Sequence, residues 1–154
     1  MDIGQNAPEF TLPTDSSGLV SLSSLRGNMV VLYFYPKDNT PGCTLEATSF
    51  SQLKKGFDAY GVKIIGVSKD SPRKHDNFKK KYDLTITLAS DAEDEMLSRY
   101  GVWIEKKLYG RVYMGIERAT FLIDADGKIA HVWRKVKVKD HAQDVLETVK
   151  SLAS

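Results

Sequence analysis

The chain of 154 residues has one cysteine, Cys43, at the end of a short segment that holds two prolines and a glycine, residues 36–42. Residues 29–35 are apolar without a break and mostly β-branched or aromatic, which predicts a strand buried on both faces. After Cys43, apolar residues recur at spacings of three and four up to Gly61, which predicts an amphipathic helix. The only thiol is therefore expected where a strand has ended and a helix begins.

The start of a helix is a suitable place for a reactive thiol. Its first backbone N–H groups have no partner within the helix, and the helix dipole adds a partial positive charge there. Both favour the thiolate, which is the form of cysteine that attacks electrophiles. The sequence therefore predicts that Cys43 is a nucleophile, although a lone cysteine is more often an inert core residue.

Further elements follow from the same kind of pattern. Residues 8–25 predict a small hairpin or an extended entry segment, and Ser71 followed by Pro72 predicts the start of a helix. Asp124–Gly127, between two apolar runs, predicts a hairpin turn rather than a calcium loop, which would need later ligands. The remaining predicted elements are strands at 62–68, 85–89, 119–123 and 129–133 and helices at 91–100 and from about 140.

Strands that alternate with helices, followed by a late hairpin, indicate an α/β protein. We expect a thioredoxin-like fold in which a central mixed β-sheet has helices on both faces. The chain contains no repeat, linker or low-complexity tract, so one domain is expected over residues 1–154. Its length is sufficient for a buried core.

Composition excludes several classes of protein. Hydrophobic residues make up 42% and charged residues 27%, and the net charge is +2, so no nucleic-acid or membrane partner is expected. The chain contains no apolar run of about 20 residues and no signal-peptide pattern. One cysteine makes an internal disulfide and a cysteine-rich zinc site impossible. The three histidines lack a metal-ligand spacing and are interpreted as solvent or packing residues. A cytoplasmic protein is the simplest expectation.

Pro36, Thr40 and Cys43 fit the Pro-x-x-x-Thr-x-x-Cys motif of peroxiredoxins. The longer block 35–47 closely resembles the bacterioferritin comigratory protein branch, also called peroxiredoxin Q. A second block, 101–124, agrees, and Arg118 falls where this family places its active-site arginine. The likeness extends over almost the whole chain.

The resemblance implies a thiol-dependent peroxidase that reduces hydrogen peroxide and organic hydroperoxides through a sulfenic acid on Cys43. It implies that the Thr40 hydroxyl contacts both the peroxide and the thiolate, and that Arg118 stabilises negative charge. Pro36 would shape the loop and shield the sulfur. The resemblance calls for no cofactor or metal.

Position 48 departs from many relatives, which carry a second cysteine five residues after the first. Here the residue is Thr48, which we interpret as natural, with an engineered replacement as the alternative. The chain therefore resembles a one-cysteine form whose reductant is an external thiol: thioredoxin, glutaredoxin or a small thiol. A monomer is expected, with a weak homodimer as the alternative.

Three other functions compete with the peroxidase. A redox sensor or relay would use the same site and would differ only in passing its oxidation to a protein partner. A thioredoxin-like disulfide exchanger is disfavoured because it needs a second cysteine. Nothing specific in the sequence favours a binding module that does not use the thiol.

Overall fold

The computed structural model describes residues 1–153. Its core is a mixed sheet of five strands: β3 (Val30–Phe34), β4 (Lys63–Ser68), β5 (Thr87–Ser90), β8 (Ala119–Ile123) and β9 (Ile129–Trp133). They are hydrogen-bonded in the order β5-β4-β3-β8-β9. The central strand β3 runs parallel to β4 and antiparallel to β8. Every residue of β3 is buried, as the unbroken apolar run predicts.

Two small sheets accompany the central one. The first joins β1 (Thr11–Pro13) to β2 (Leu19–Ser21), which confirms the hairpin predicted near the start of the chain. The second joins β6 (Trp103–Leu108) to β7 (Arg111–Ile116), which the sequence pattern did not indicate. Most side chains of this hairpin are exposed, so its strands lack apolar alternation. Its two-residue turn, Tyr109-Gly110, has positive φ at both positions, as tight hairpin turns require.

The helices are α1 (Pro41–Gln52), α2 (Lys54–Asp58), α3 (Pro72–Tyr82), α4 (Glu95–Arg99) and α5 (His141–Ala153). The helix predicted after Cys43 is interrupted at Leu53, so it forms two helices. At α3 the prediction is confirmed, because the Ser71 hydroxyl accepts a hydrogen bond from the backbone N–H of Lys74 at 3.2 Å. Helix α4 is shorter than predicted, but Met96 and Leu97 are buried as expected.

Alternate residues of β3 point into two cores, one on each face of the sheet. Val30, Leu32 and Phe34 pack with apolar residues of β1 and α4. Val31 and Tyr33 pack on the other face with Ala47 and Phe50 of α1, Phe57 of α2, Phe78 of α3, and Val145 and Val149 of α5. Helices therefore cover both faces, which confirms the predicted fold class. Among the described residues, no helix is both long and apolar enough to cross a membrane.

Candidate active site

Cys43 lies in the first turn of α1, immediately after the loop that follows β3. Thr40, with extended backbone, is the N-cap, and Pro41 is the first helical residue. Proline suits that position because its missing N–H would have no partner there. The Cys43 side chain is 2% exposed and its thiol is free. The prediction of a thiol at a strand-to-helix junction is confirmed.

Arg118 reaches the thiol from a distant part of the sequence. In the antiparallel register of β3 and β8, Phe34 is paired with Ala119, so the residue before Ala119 lies next to the loop that leads to α1. Its Nη2 donates to Cys43 Sγ at 3.3 Å. A Cβ at Gly42 would lie 3.3 Å from the same nitrogen, so glycine leaves room for the guanidinium.

Glu46 holds the second branch of the guanidinium. Its Oε1 accepts from Arg118 Nη1 at 2.8 Å, and its side chain is only 1% exposed. Glu46 lies three residues after Cys43, so both side chains are on the same face of α1. The other carboxylate oxygen, Oε2, has no hydrogen-bond partner among the described residues. One arginine thus bridges the thiol and a buried carboxylate.

Burial and the single bond to Arg118 act in opposite directions on the pKa of Glu46. Burial raises the pKa of the carboxyl to about 7, against the opposing effect of the Arg118 charge. For Arg118, burial opposes the charged form, but Glu46 and Cys43 outweigh it and raise the pKa of the guanidinium further. Arg118 is therefore a permanent cation, whereas Glu46 changes its charge close to neutral pH.

The backbone around Arg118 is held at both sides. The N–H of Glu117 donates to the Val102 carbonyl at 2.8 Å, and the N–H of Val136 donates to the Arg118 carbonyl at 2.9 Å. From β6, the Lys106 ammonium donates to the Ile116 carbonyl at 2.5 Å. The unpredicted β6–β7 hairpin thus supports the segment that carries the arginine.

Thr40 is half-buried, and its hydroxyl donates to the Lys37 carbonyl at 2.8 Å. A hydroxyl has a single proton and two lone pairs. Because the proton is donated to the Lys37 carbonyl, the oxygen of Thr40 keeps lone pairs that can accept a further hydrogen bond. The contact with the thiolate that the resemblance implies stays a prediction.

Pro36 lies at the start of the loop between β3 and α1, and Thr48 lies within α1. Pro36 is exposed at the start of the loop, and its shielding of the sulfur stays a prediction. The Thr48 hydroxyl donates to the Thr44 carbonyl at 2.9 Å, within the continuous turns of α1. Thr48 therefore bonds to its own helix and supplies no second thiol.

The contacts made by two buried side chains, Glu46 and His75, were not predicted from the sequence. Glu46 stands within the recognised block, but only its spacing from Cys43 signalled a shared helix face. His75, which was interpreted as a solvent or packing residue, is fully buried, but its hydrogen bond to Asp38 was not predicted. The spacing of 37 residues between these partners leaves no local signal in the sequence.

Comparison with known proteins points to one family. Residues 3–132 match the model of the AhpC/TSA family. Peroxiredoxin Bcp of Bacillus subtilis is 48% identical over 153 residues, which cover 99% of this chain and 98% of that protein.

Two solved structures are also similar. The bacterioferritin comigratory protein of Xanthomonas campestris, studied for alkyl peroxide reduction, is 39% identical with a TM-score of 0.93, covering 99% of this chain and 100% of that one. A cysteine-to-serine mutant of PrxQ from Xylella fastidiosa is 38% identical with a TM-score of 0.95, covering 100% of this chain and 98% of that one.

The arrangement suits chemistry at sulfur. A nucleophilic thiol lies at a helix start, and a cation 3.3 Å away can stabilise negative charge on the sulfur or on a leaving oxygen. The thioredoxin-like fold, the family match and the near full-length relatives agree with this chemistry. The chain belongs to the AhpC/TSA family, in its Bcp/peroxiredoxin Q branch, and is a thiol-dependent peroxidase with a single cysteine.

Proposed function

We propose that Cys43, Thr40, Arg118 and Pro36 form the peroxidase site of a single catalytic domain, with hydrogen peroxide and organic hydroperoxides as substrates. The 3.3 Å contact between Arg118 Nη2 and Cys43 Sγ carries this proposal. It joins the only thiol of the chain to a cation that no part of α1 supplies. The residue types match those that peroxide reduction needs.

In the first step the Cys43 thiolate attacks the terminal oxygen of the peroxide. The S–O bond forms as the O–O bond breaks, so Cys43 becomes a sulfenic acid and water or an alcohol leaves after taking up a proton. Arg118 stabilises the negative charge that moves onto the leaving oxygen. Thr40 accepts a hydrogen bond from the peroxide O–H, and the N–H groups of Gly42 and Cys43 add donors at the helix start.

Glu46 acts in this scheme as a positioning residue. Its bond to Nη1 fixes the plane of the guanidinium, so that Nη2 is directed at the sulfur. The guanidinium is planar and its N–H donors have fixed directions, so it can bind Glu46 and the sulfur at once. A lysine ammonium has no such fixed geometry. Pro36 limits the backbone of the loop that presents Thr40.

The second step needs an external thiol. A thiol condenses with the sulfenic acid, releasing water and forming a mixed disulfide. A second thiol then frees Cys43 and leaves as the disulfide product. We propose thioredoxin, glutaredoxin or a small thiol as reductant, a cytoplasmic location and a monomeric state.

Steady-state peroxide consumption with a panel of these reductants tests the proposal. The wild type should turn over, Cys43→Ser should be inactive, and Thr48→Ser, which leaves the proposed site intact, should match the wild type. Oxidation of Cys43 followed only by stoichiometric transfer to a protein partner would contradict the proposal and identify a redox relay.

A further inference from the structure

The loop between β3 and α1 contains a buried acidic residue, Asp38, that the peroxidase scheme does not use. Its Oδ1 accepts a hydrogen bond from the Tyr35 hydroxyl at 2.5 Å, and its Oδ2 lies 2.7 Å from Nδ1 of His75. His75 belongs to α3 and is completely buried. Its other ring nitrogen, Nε2, lies 3.1 Å from the Ala89 carbonyl oxygen. Both nitrogens of His75 therefore face acceptors.

The chemistry of these partners decides where the protons are. A carbonyl oxygen only accepts, so Nε2 carries a proton. Burial raises the pKa of Tyr35, which keeps its hydroxyl protonated and donating to Asp38. The 2.7 Å separation of His75 Nδ1 and Asp38 Oδ2 places the remaining proton between these two atoms. Asp38 and His75 thus form a buried hydrogen-bonded pair between the loop and α3.

Asn39, the next residue, is also bound to α3. Its Oδ1 accepts from the Tyr82 hydroxyl at 2.6 Å and from the Lys81 ammonium at 3.3 Å. Its φ of 59° lies in the left-handed region, which asparagine tolerates better than most residues. In addition, the Asp38 N–H donates to Asp70 at 2.8 Å. Two successive loop residues are therefore attached to one helix.

Thr40 follows these two residues directly, and its hydroxyl bonds back to Lys37 within the same loop. The position of the Thr40 oxygen therefore depends on where α3 holds Asp38 and Asn39. We propose that His75 is a positioning residue of the peroxide step, which acts through Asp38 to place Thr40 beside Cys43. This inference rests on the role proposed for Thr40 above.

Packing of α3 alone does not account for a buried pair of hydrogen-bonded polar side chains. The helix is already anchored by Phe78 in the core and by the Lys79–Asp15 ion pair at 2.8 Å. Apolar residues of similar volume often replace buried ion pairs without loss of stability. A hydrogen-bonded pair between a helix and a loop fixes direction in a way that apolar packing does not, and a catalytic hydroxyl must be held in a fixed direction.

A double-mutant cycle on the full chain tests the inference. In stopped-flow oxidation of Cys43 by hydrogen peroxide, His75→Gln should slow the reaction by about tenfold to hundredfold, the usual cost of misplacing a catalytic group. In the Thr40→Val background, the same substitution should have little further effect, because the group it positions is absent. Alkylation of Cys43 by iodoacetamide, which does not use Thr40, should keep its wild-type rate.

Two further variants test whether a slower rate comes from lost positioning rather than from a disturbed fold. Tyr82→Phe removes only the hydroxyl that binds Asn39 and should slow the peroxide step less than His75→Gln does. His131→Gln replaces a histidine that packs on Trp133 and should leave the rate unchanged.

Two results would overturn the inference. The first is additive effects of His75→Gln and Thr40→Val. The second is a wild-type peroxide rate in folded His75→Gln while Thr40→Val is slow. If Thr40→Val alone is as fast as the wild type, the role proposed for Thr40 is wrong, and the inference fails with it.

Discussion

Arg118 Nη2 lies 3.3 Å from Cys43 Sγ, although 75 residues separate the two in the sequence. The thiol comes from the first turn of α1 and the guanidinium from the residue before β8. The strand register that joins β3 to β8 brings them together. Because one residue supplies the nucleophile and another the charge, their contributions can be removed separately.

Arg118→Ala should keep the fold and slow the oxidation of Cys43 by peroxide. Loss of a donor that stabilises a developing oxyanion costs on the order of a hundredfold, or roughly 3 kcal/mol of activation free energy. Arg118→Lys should recover little, because an ammonium cannot bind Glu46 and the sulfur in one plane. Stopped-flow kinetics measures the rates, with Arg99→Ala as a control on an exposed arginine. An unchanged rate in Arg118→Ala would remove Arg118 from the mechanism.

Thr40→Val should also slow the peroxide step, because it removes the oxygen that accepts from the peroxide O–H. Thr40→Ser keeps the hydroxyl and should stay close to the wild type. The comparison separates loss of the hydroxyl from loss of shape, since valine and threonine have similar volumes. Pre-steady-state oxidation at several peroxide concentrations gives the rate constant. Equal rates for valine and serine variants would show that the hydroxyl has no role.

The single cysteine has a consequence for oxidation. Without an outside thiol, the sulfenic acid should persist, and excess peroxide should drive Cys43 to sulfinic and sulfonic acid. Mass spectrometry of the thiol-free protein should show the added oxygens. A dominant disulfide between two copies through Cys43 would instead indicate that dimerisation resolves the intermediate.

Thr48→Cys should convert the protein to an internal two-cysteine form. Five residues along a helix separate the two positions by about 7.5 Å in rise and about 140° in angle. A disulfide therefore requires α1 to unwind, because its Cα atoms must come within about 7 Å. Peroxide should then give an internal disulfide, less over-oxidation and lower helix content by circular dichroism. Thr48→Ser is the matched control. Wild-type behaviour of Thr48→Cys would mean that α1 is too stable to open.

Glu46 should make stability depend on pH. Its folded-state pKa of about 7, raised by burial, exceeds the ordinary value of 4.5. The folded protein therefore binds the proton more tightly, so the Glu46 contribution to stability is greatest below pH 4.5 and is lost as pH rises towards 7. The expected change is about 3 kcal/mol in the free energy of unfolding.

Denaturant unfolding of the wild type and Glu46→Gln at several pH values measures this contribution. The stability of Glu46→Gln relative to the wild type should rise between pH 4.5 and 7, since glutamine does not ionise. A constant difference across that range would contradict the raised pKa.

His141 should make stability depend on pH in the opposite direction to Glu46. Burial lowers its pKa to about 4 from the ordinary 6.5, and Nε2 lies 2.7 Å from the Thr120 hydroxyl. The unfolded chain therefore takes up a proton first, so the His141 contribution to stability is lost as pH falls from 6.5 towards 4. In His141→Gln, stability should fall less than in the wild type over this range, as denaturant unfolding would measure. Parallel stability curves would show that His141 is not held neutral.

Local sequence patterns predicted most elements because their causes are local. The run 30–34 is apolar throughout, Pro41 suits the first turn of a helix, and Ser71 caps another. The β6–β7 hairpin was missed because its exposed side chains carry no apolar alternation. The break at Leu53 was missed because the apolar spacing continues across it.

Local sequence was enough to predict that Cys43 lies at the start of a helix after a buried strand, since hydrophobic period, proline and glycine act over a few residues. The sequence also pointed to Thr40 and Arg118, but only through the resemblance to the family. Tertiary structure decided that Arg118 meets Cys43, that Glu46 binds the same guanidinium, and that His75 holds Asp38. These contacts depend on strand register and on the burial of charge, which are properties of the folded chain that no local pattern contains.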